Sequence, residues 1–171
     1  MKRLAAFFLV LTITLGSVPA CAEWAEGAFS MVNTAAFSER NGQRTSLDLE
    51  RQSAEAIIDF QTGDRLGLTI GGTKIVLYPV SGGLAGLTWN PQGVSLLHEK
   101  DIKALNHPLL PGEVPAWGAD MAWPGLGVAR LVLVPLGADA YVGFLISHPQ
   151  DRKVVRQMEF RRVPGPRDRP D

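Results

Sequence analysis

The sequence predicts an all-β, mainly antiparallel fold: a small β-barrel, with a two-sheet β-sandwich as the alternative, of about eight to ten short strands and one short helix. Three observations carry this expectation. Apolar and polar residues alternate with a period of two through several short runs. Compact turn signals separate those runs. The 18 glycines and 12 prolines among 171 residues are more than an ordinary domain uses, which suits a chain that turns often.

The amino terminus reads as a leader. Lys2 and Arg3 form a charged start, and Leu4 to Leu15 is an apolar run too short to span a bilayer comfortably. Gly16, Ser17 and Pro19 break it, and Ala20-Cys21-Ala22 places small residues where a signal peptidase reads. Residues 1–22 are therefore expected to be a secretory signal peptide, and the mature chain a periplasmic protein of a bacterial envelope. Cys21 is the only cysteine. Cleavage after Ala22 leaves a mature chain with no disulfide, no thiolate metal site and no cysteine nucleophile. The alternative is lipidation at Cys21: Val18-Pro19-Ala20-Cys21 resembles a lipobox, although Pro19 departs from it, and a lipid there would tether the domain to a membrane.

Residues 23–163 are expected to form a single β-rich domain. Trp24 is placed to close one end of a barrel or sandwich. Asn41-Gly42 separates Ala36–Arg40 from Gln43–Arg51, and both turn residues tolerate the positive φ of a tight hairpin. In the second arm Leu47 and Leu49 alternate with polar residues. A three-strand meander follows over Ala56–Val80. Ile58 and Phe60 alternate with Asp59 and Gln61, and Leu66, Leu68 and Ile70 alternate with Arg65, Gly67 and Thr69. Gly71-Gly72 is a second two-residue turn. Ile75–Tyr78 is apolar on both sides, which predicts a strand covered on both faces, and Pro79 marks where it leaves the sheet.

Beyond Ser81-Gly82-Gly83, Leu84–Trp89 is expected to be a strand, Val94–Leu97 another, and Glu99–Leu105 the short helix. His107 to Gly127 holds four prolines and four glycines in 21 residues together with Trp117, Met121 and Trp123, which predicts an ordered apolar loop. Ala129–Leu136, Tyr141–Ser147 and Lys153–Val163 complete the strands. The charged outer residues of the last suit an edge, and residues 164–171 read as a disordered tail.

The chemistry-bearing patterns are few. Gly82-Gly83 has no following Lys-Ser or Lys-Thr, so it is no phosphate loop. No Gly-x-Ser-x-Gly marks an activated serine. His98-Glu99-Lys100-Asp101 fails as a zinc helix because Ile102 stands where the second histidine is needed. No cofactor, metal or catalytic residue is assigned. Asp59, Asp64, Asp101 and Asp120, with His98 or His107, are the groups a carboxylate-dependent hydrolase would have to draw on. Charge is uneven: residues 23–150 carry 8 Lys/Arg against 13 Asp/Glu, and residues 151–171 carry 7 against 4. The basic excess is small and interleaved with acids, so no nucleic-acid partner is expected. The remaining expectation is a non-enzymatic envelope protein that binds another envelope protein or a small apolar ligand through Trp117, Met121 and Trp123. An assembly factor of an envelope complex, in contact with the membrane only if lipidated at Cys21, is the alternative.

Overall fold

The computed structural model describes residues 24–49, 52–88, 105, 110, 112–123 and 127–164. The expected leader, the expected strand over Val94–Leu97, most of the expected helix over Glu99–Leu105 and nearly all of the expected tail lie outside the described residues. Among the described residues, nine strands and one short helix follow in order: β1 (Gly27–Arg40), β2 (Gln43–Ser46), β3 (Ser53–Gln61), β4 (Arg65–Ile70), β5 (Thr73–Pro79), α1 (Gly83–Thr88), β6 (Trp117–Trp123), β7 (Gly127–Pro135), β8 (Ala140–Ser147) and β9 (Lys153–Arg162).

The strand pairings are antiparallel. The sheet runs β2-β1-β3-β4-β5-β6-β7-β8-β9, and β1 also pairs with β9. The result is a closed barrel of eight strands, with β2 folded back as a flap. Strand β1 makes this possible by changing partners along its length. Its first half pairs with β3, from Gly27↔Ile58 to Val32↔Ser53. Its second half pairs with β2, from Phe37↔Ser46 to Arg40↔Gln43. The change occurs beside a bulge between Asn33 and Ala35, where Thr34 stands unopposed by β9 and donates to the Gln157 carbonyl. A bulge bends its strand and increases the local twist, which lets one strand serve both the barrel and the flap. The β1–β2 turn is the expected one: Asn41 and Gly42 both have positive φ.

Alternation sorts side chains into two cores. Phe29, Met31, Ile58, Leu66, Leu68, Ile75, Leu77, Leu131, Leu133, Tyr141, Leu145, Met158 and Phe160 point inward and fill the barrel. On the outside of β7, β8 and β9, Val132, Val134, Val142, Phe144, Ile146 and Val155 form a second cluster, covered by Leu84 and Leu87 of α1 and by Val114 and Ala116. The doubly covered strands are thus β7 and β8. Strand β5, expected to be covered on both faces, is not: Ile75 and Leu77 are buried, but Tyr78 is 55% exposed.

Four other expectations are corrected. The described part of Leu84–Trp89, residues 84–88, is not a strand: it belongs to α1 (Gly83–Thr88), because Leu84 and Leu87, three apart, share the helical face that packs on β7 and β8. Residues 117–123 are a strand and not loop, since these seven residues, inside the stretch from Pro115 to Pro124, are free of proline and pair with β7 throughout. Strand β9 is no edge, being paired on both sides. The second arm of the first hairpin stops at Ser46.

Two interior details fix the packing. Gly143 faces inward, where an added Cβ would meet Phe160 Cε2 at 2.8 Å and Met158 Cε at 3.3 Å. Its missing side chain is what lets the Phe160 ring lie across β8. Tyr141 packs edge-on against Phe29, with centroids 5.6 Å apart, and its buried hydroxyl donates to the Ala25 carbonyl at 2.8 Å. Burial, and then the nearby Glu26 charge, push the Tyr141 hydroxyl well above its ordinary pKa, so it stays protonated and remains a donor.

Both contacts can be tested by urea unfolding. Gly143→Ala overpacks the interior and lowers stability by about 1–3 kcal/mol. Tyr141→Phe keeps the ring contact but strips the Ala25 carbonyl of its donor, costing about 1–3 kcal/mol.

Candidate functional site

An up-and-down barrel gathers alternate strand ends at each mouth. One mouth collects the residues before β1, the end of β3, the start of β4, the end of β5 and the start of β6. Here Trp24, Phe60, Asp64, Pro79, Val80, Gly82, Gly83, Trp117 and the segment 112–116 line an open groove of about 530 Å³.

Each wall has a local cause. Pro79 ends β5, as its missing N–H predicts. The chain then stays beside the segment that leads into β6: Val80 N–H donates to the Ala116 carbonyl at 2.8 Å, and Leu84 N–H donates to the Val114 carbonyl at 2.9 Å. That close approach requires glycine at position 83. Its φ is +55°, and an added Cβ would fall 2.2 Å from the Val114 oxygen. The floor is aromatic. Trp117 is 5% exposed, and its indole N–H donates to the Asp64 carbonyl at 2.8 Å. That bond ties β6 to the β3–β4 turn, whose Gly63 and Asp64 have positive φ. Phe60 meets the Trp117 ring edge-on at 5.6 Å. The Phe60 amide in turn donates to the Glu26 carboxylate.

Among the described lining residues the only charged side chains are two exposed carboxylates, Asp64 and Glu113. Glu113 Oε2 accepts a hydrogen bond from the Leu110 amide at 3.3 Å. Gly82, Gly83 and Gly112 contribute no side chains, so main chain forms part of the wall. An apolar floor with backbone groups and a few polar groups on its walls is the general character of a binding cleft.

The three residues expected to bind do not share this mouth. Trp117 is at the groove. Trp123 is at the other end of β6, six residues on and about 20 Å away along an extended strand. The side chain of Trp123 lies outside the described residues. Met121, between them, is half-buried against the barrel core. Trp24, Phe60, Pro79 and Val80 carry the groove, and no local pattern in the sequence marks them as a site. The signal that could find them is topological: the turns at Thr62-Gly63-Asp64 and Ser81-Gly82-Gly83 belong to the same end of any up-and-down barrel.

Among the described residues, Asp59 and Asp120 are not brought together as a catalytic pair. Asp59 lies over Gly67 on the outer face and accepts a hydrogen bond from Gln61 at 3.2 Å. Asp120 is opposite Arg130 across the β6–β7 ladder and is held by a two-pronged bond of 2.7 and 2.8 Å. His98, Asp101 and His107 lie outside the described residues. Among the described residues no group of three or more His, Cys, Asp and Glu side chains is placed to hold a metal. His148 is exposed beside the turn after β8.

Compared with known proteins, the chain matches no family model, no curated protein and no solved structure.

The Asp120–Arg130 pair yields a pH prediction. The hydrogen bond and the charge of Arg130 outweigh the cost of burial and hold the Asp120 carboxyl below its ordinary value of 3.8. A lowered folded-state pKa gives stability that is present above the unfolded value and lost as pH falls through the folded one. The pair is solvent-exposed, so Asp120→Asn is expected to cost no more than about 1 kcal/mol at pH 7. Chemical unfolding of both proteins from pH 7 to pH 2 should show that difference shrink below about pH 4.

Proposed function

We propose that this chain is an exported, non-enzymatic protein of the bacterial envelope, and that the mouth between Trp24, Phe60 and Trp117 binds another envelope protein or a small apolar ligand. The observation that carries the reading is the open groove of about 530 Å³ with an aromatic floor, set on a barrel whose interior is already filled with side chains. With these described side chains packed inside the barrel, binding falls to its ends and outer face. Apolar area at the floor supplies affinity, and the surrounding backbone and carboxylates supply orientation. The sequence pattern of residues 1–22 supports export. Anchoring at Cys21 would place the same groove at a membrane surface without changing its chemistry.

Gly112 gives a way to block the groove without disturbing the fold, because an added Cβ there meets nothing within 4 Å. The protein would be purified from its own envelope after mild cross-linking, and the retained ligand or partner quantified by native mass spectrometry. Gly112→Trp is expected to lose most of what the wild type retains. Ile57→Ala, on the exposed outer face of β3, is expected to lose none. Equal retention by the folded Gly112→Trp variant would remove the groove as the binding site.

A further inference from the structure

We infer that the groove takes an extended peptide segment of a partner protein in which a lysine or arginine stands beside apolar residues. This rests on the proposed binding role of the groove and names the chemistry of its occupant. Two features select it. The first is charge. Asp64 and Glu113 stand on opposite walls, one on the β3–β4 turn and one on the segment before β6, and no cationic side chain is among the described residues that line the groove. Glu26, bonded to the Phe60 amide, adds a third carboxylate next to the floor. An anionic occupant, such as a fatty acid or a phospholipid headgroup, would bring like charge against these groups with no cation among the described lining residues to offset it. A cationic side chain is attracted by both walls, and its aliphatic stem can lie along Trp24, Phe60 and Trp117 while the charged end stays wet.

The second feature is the main-chain wall. Gly112 leaves backbone uncovered on one side of the groove, where an added Cβ would meet nothing within 4 Å. Uncovered main chain beside an aromatic floor suits the close approach of an extended peptide, whose backbone lies against the wall while its side chains reach the floor. Pro79 and Pro115 stiffen the two edges, so little ordering is needed on binding.

The test is a selection of random phage-displayed peptides on the full-length folded protein, with Gly112→Trp as the blocked counterpart. Sequences retained by the wild type and not by Gly112→Trp are expected to be enriched in Lys or Arg flanked by apolar residues. A synthetic peptide from that set should bind about tenfold more weakly when its basic residue is replaced by glutamate, and more weakly as salt is raised. The double variant Asp64→Asn, Glu113→Gln keeps the shape and hydrogen-bonding reach of both side chains, and asparagine tolerates the positive φ at position 64. It should lose most of the wild type's discrimination between the basic and glutamate peptides. Groove-dependent peptides with no basic bias, or a double variant that discriminates as well as the wild type, would overturn the charge inference and leave the groove reading standing. Retention that is the same on wild type and Gly112→Trp would overturn both.

Discussion

The ladder between β1 and β9 is the constraint from which the rest of the molecule follows. It runs from Phe29↔Arg162 to Glu39↔Lys153 and turns an open meander into a barrel. Without it both strands would be edges, with rows of unpaired amides and carbonyls open to other chains. Its geometry depends on what lies beneath it. Phe29, Tyr141 and Phe160 are fully buried under the closing strands, and Gly143 is the gap in β8 that admits the Phe160 ring. The bulge at Thr34 then bends β1 off its β3 partner while keeping it on β9. Closure, aromatic filling and bulge are a single solution to the problem of joining the first strand to the last.

With these side chains packed through the barrel, the proposed recognition falls on its outside. The second apolar cluster, on the outer face of β7 to β9, is structural, because it seats α1 and the segment around Val114 and Ala116. Those two pieces are stitched together by the Val80–Ala116 and Leu84–Val114 hydrogen bonds, and they raise a wall beside the mouth. The opposite wall is the β3–β4 turn, fixed by the Trp117 indole. The groove is therefore built from rigid parts, each held by burial or by a backbone bond. Its carboxylates sit on those parts and meet no cation among the described lining residues, in contrast to Asp120, which Arg130 neutralises on the open sheet.

Most of the fold is legible because alternation is a strong signal wherever one strand face is wet. Leu66, Leu68 and Ile70 on β4, and Met158 and Phe160 on β9, announce both their conformation and their inward direction. Asn41-Gly42 and Gly71-Gly72 mark true hairpins. The failures share a cause. Leu84 and Leu87, and the residues around Trp117, are apolar because they are sandwiched or roofed, so period two and period three-and-a-half look alike over so few residues. Prolines at positions 115 and 124 bracket β6, yet by composition they make the whole stretch read as loop. The closing role of β9 is hidden because its charged outer residues, which suit an edge, suit the exposed wall of a closed barrel equally well. The site is less legible than the fold. Trp117 stands out by residue type, but its companions at the mouth, Trp24, Phe60, Pro79 and Val80, come together only through strand order, which no local pattern encodes. Trp123 has the same composition signal as Trp117 and stands at the far end of the same strand.

Closure and a filled interior can be checked together by native-state hydrogen exchange, followed amide by amide. A closed, filled barrel predicts that the slowest amides include those of Met31 and Phe160 on the closing pair and Tyr141 to Ile146 on β8, exchanging at a common rate set by global unfolding. By contrast, β5 and β6 are paired at Tyr78↔Gly118 and Pro79↔Trp117, with no register position among the described residues beyond Tyr78 toward the start of β5. The Gly71-Gly72 hairpin turns the amides of Lys74 and Val76 toward that seam, and these should exchange early. If the β1 and β9 amides exchanged as fast as Lys74 and Val76, the barrel would be open between its first and last strands, and the reason for placing binding at its mouth would go with it.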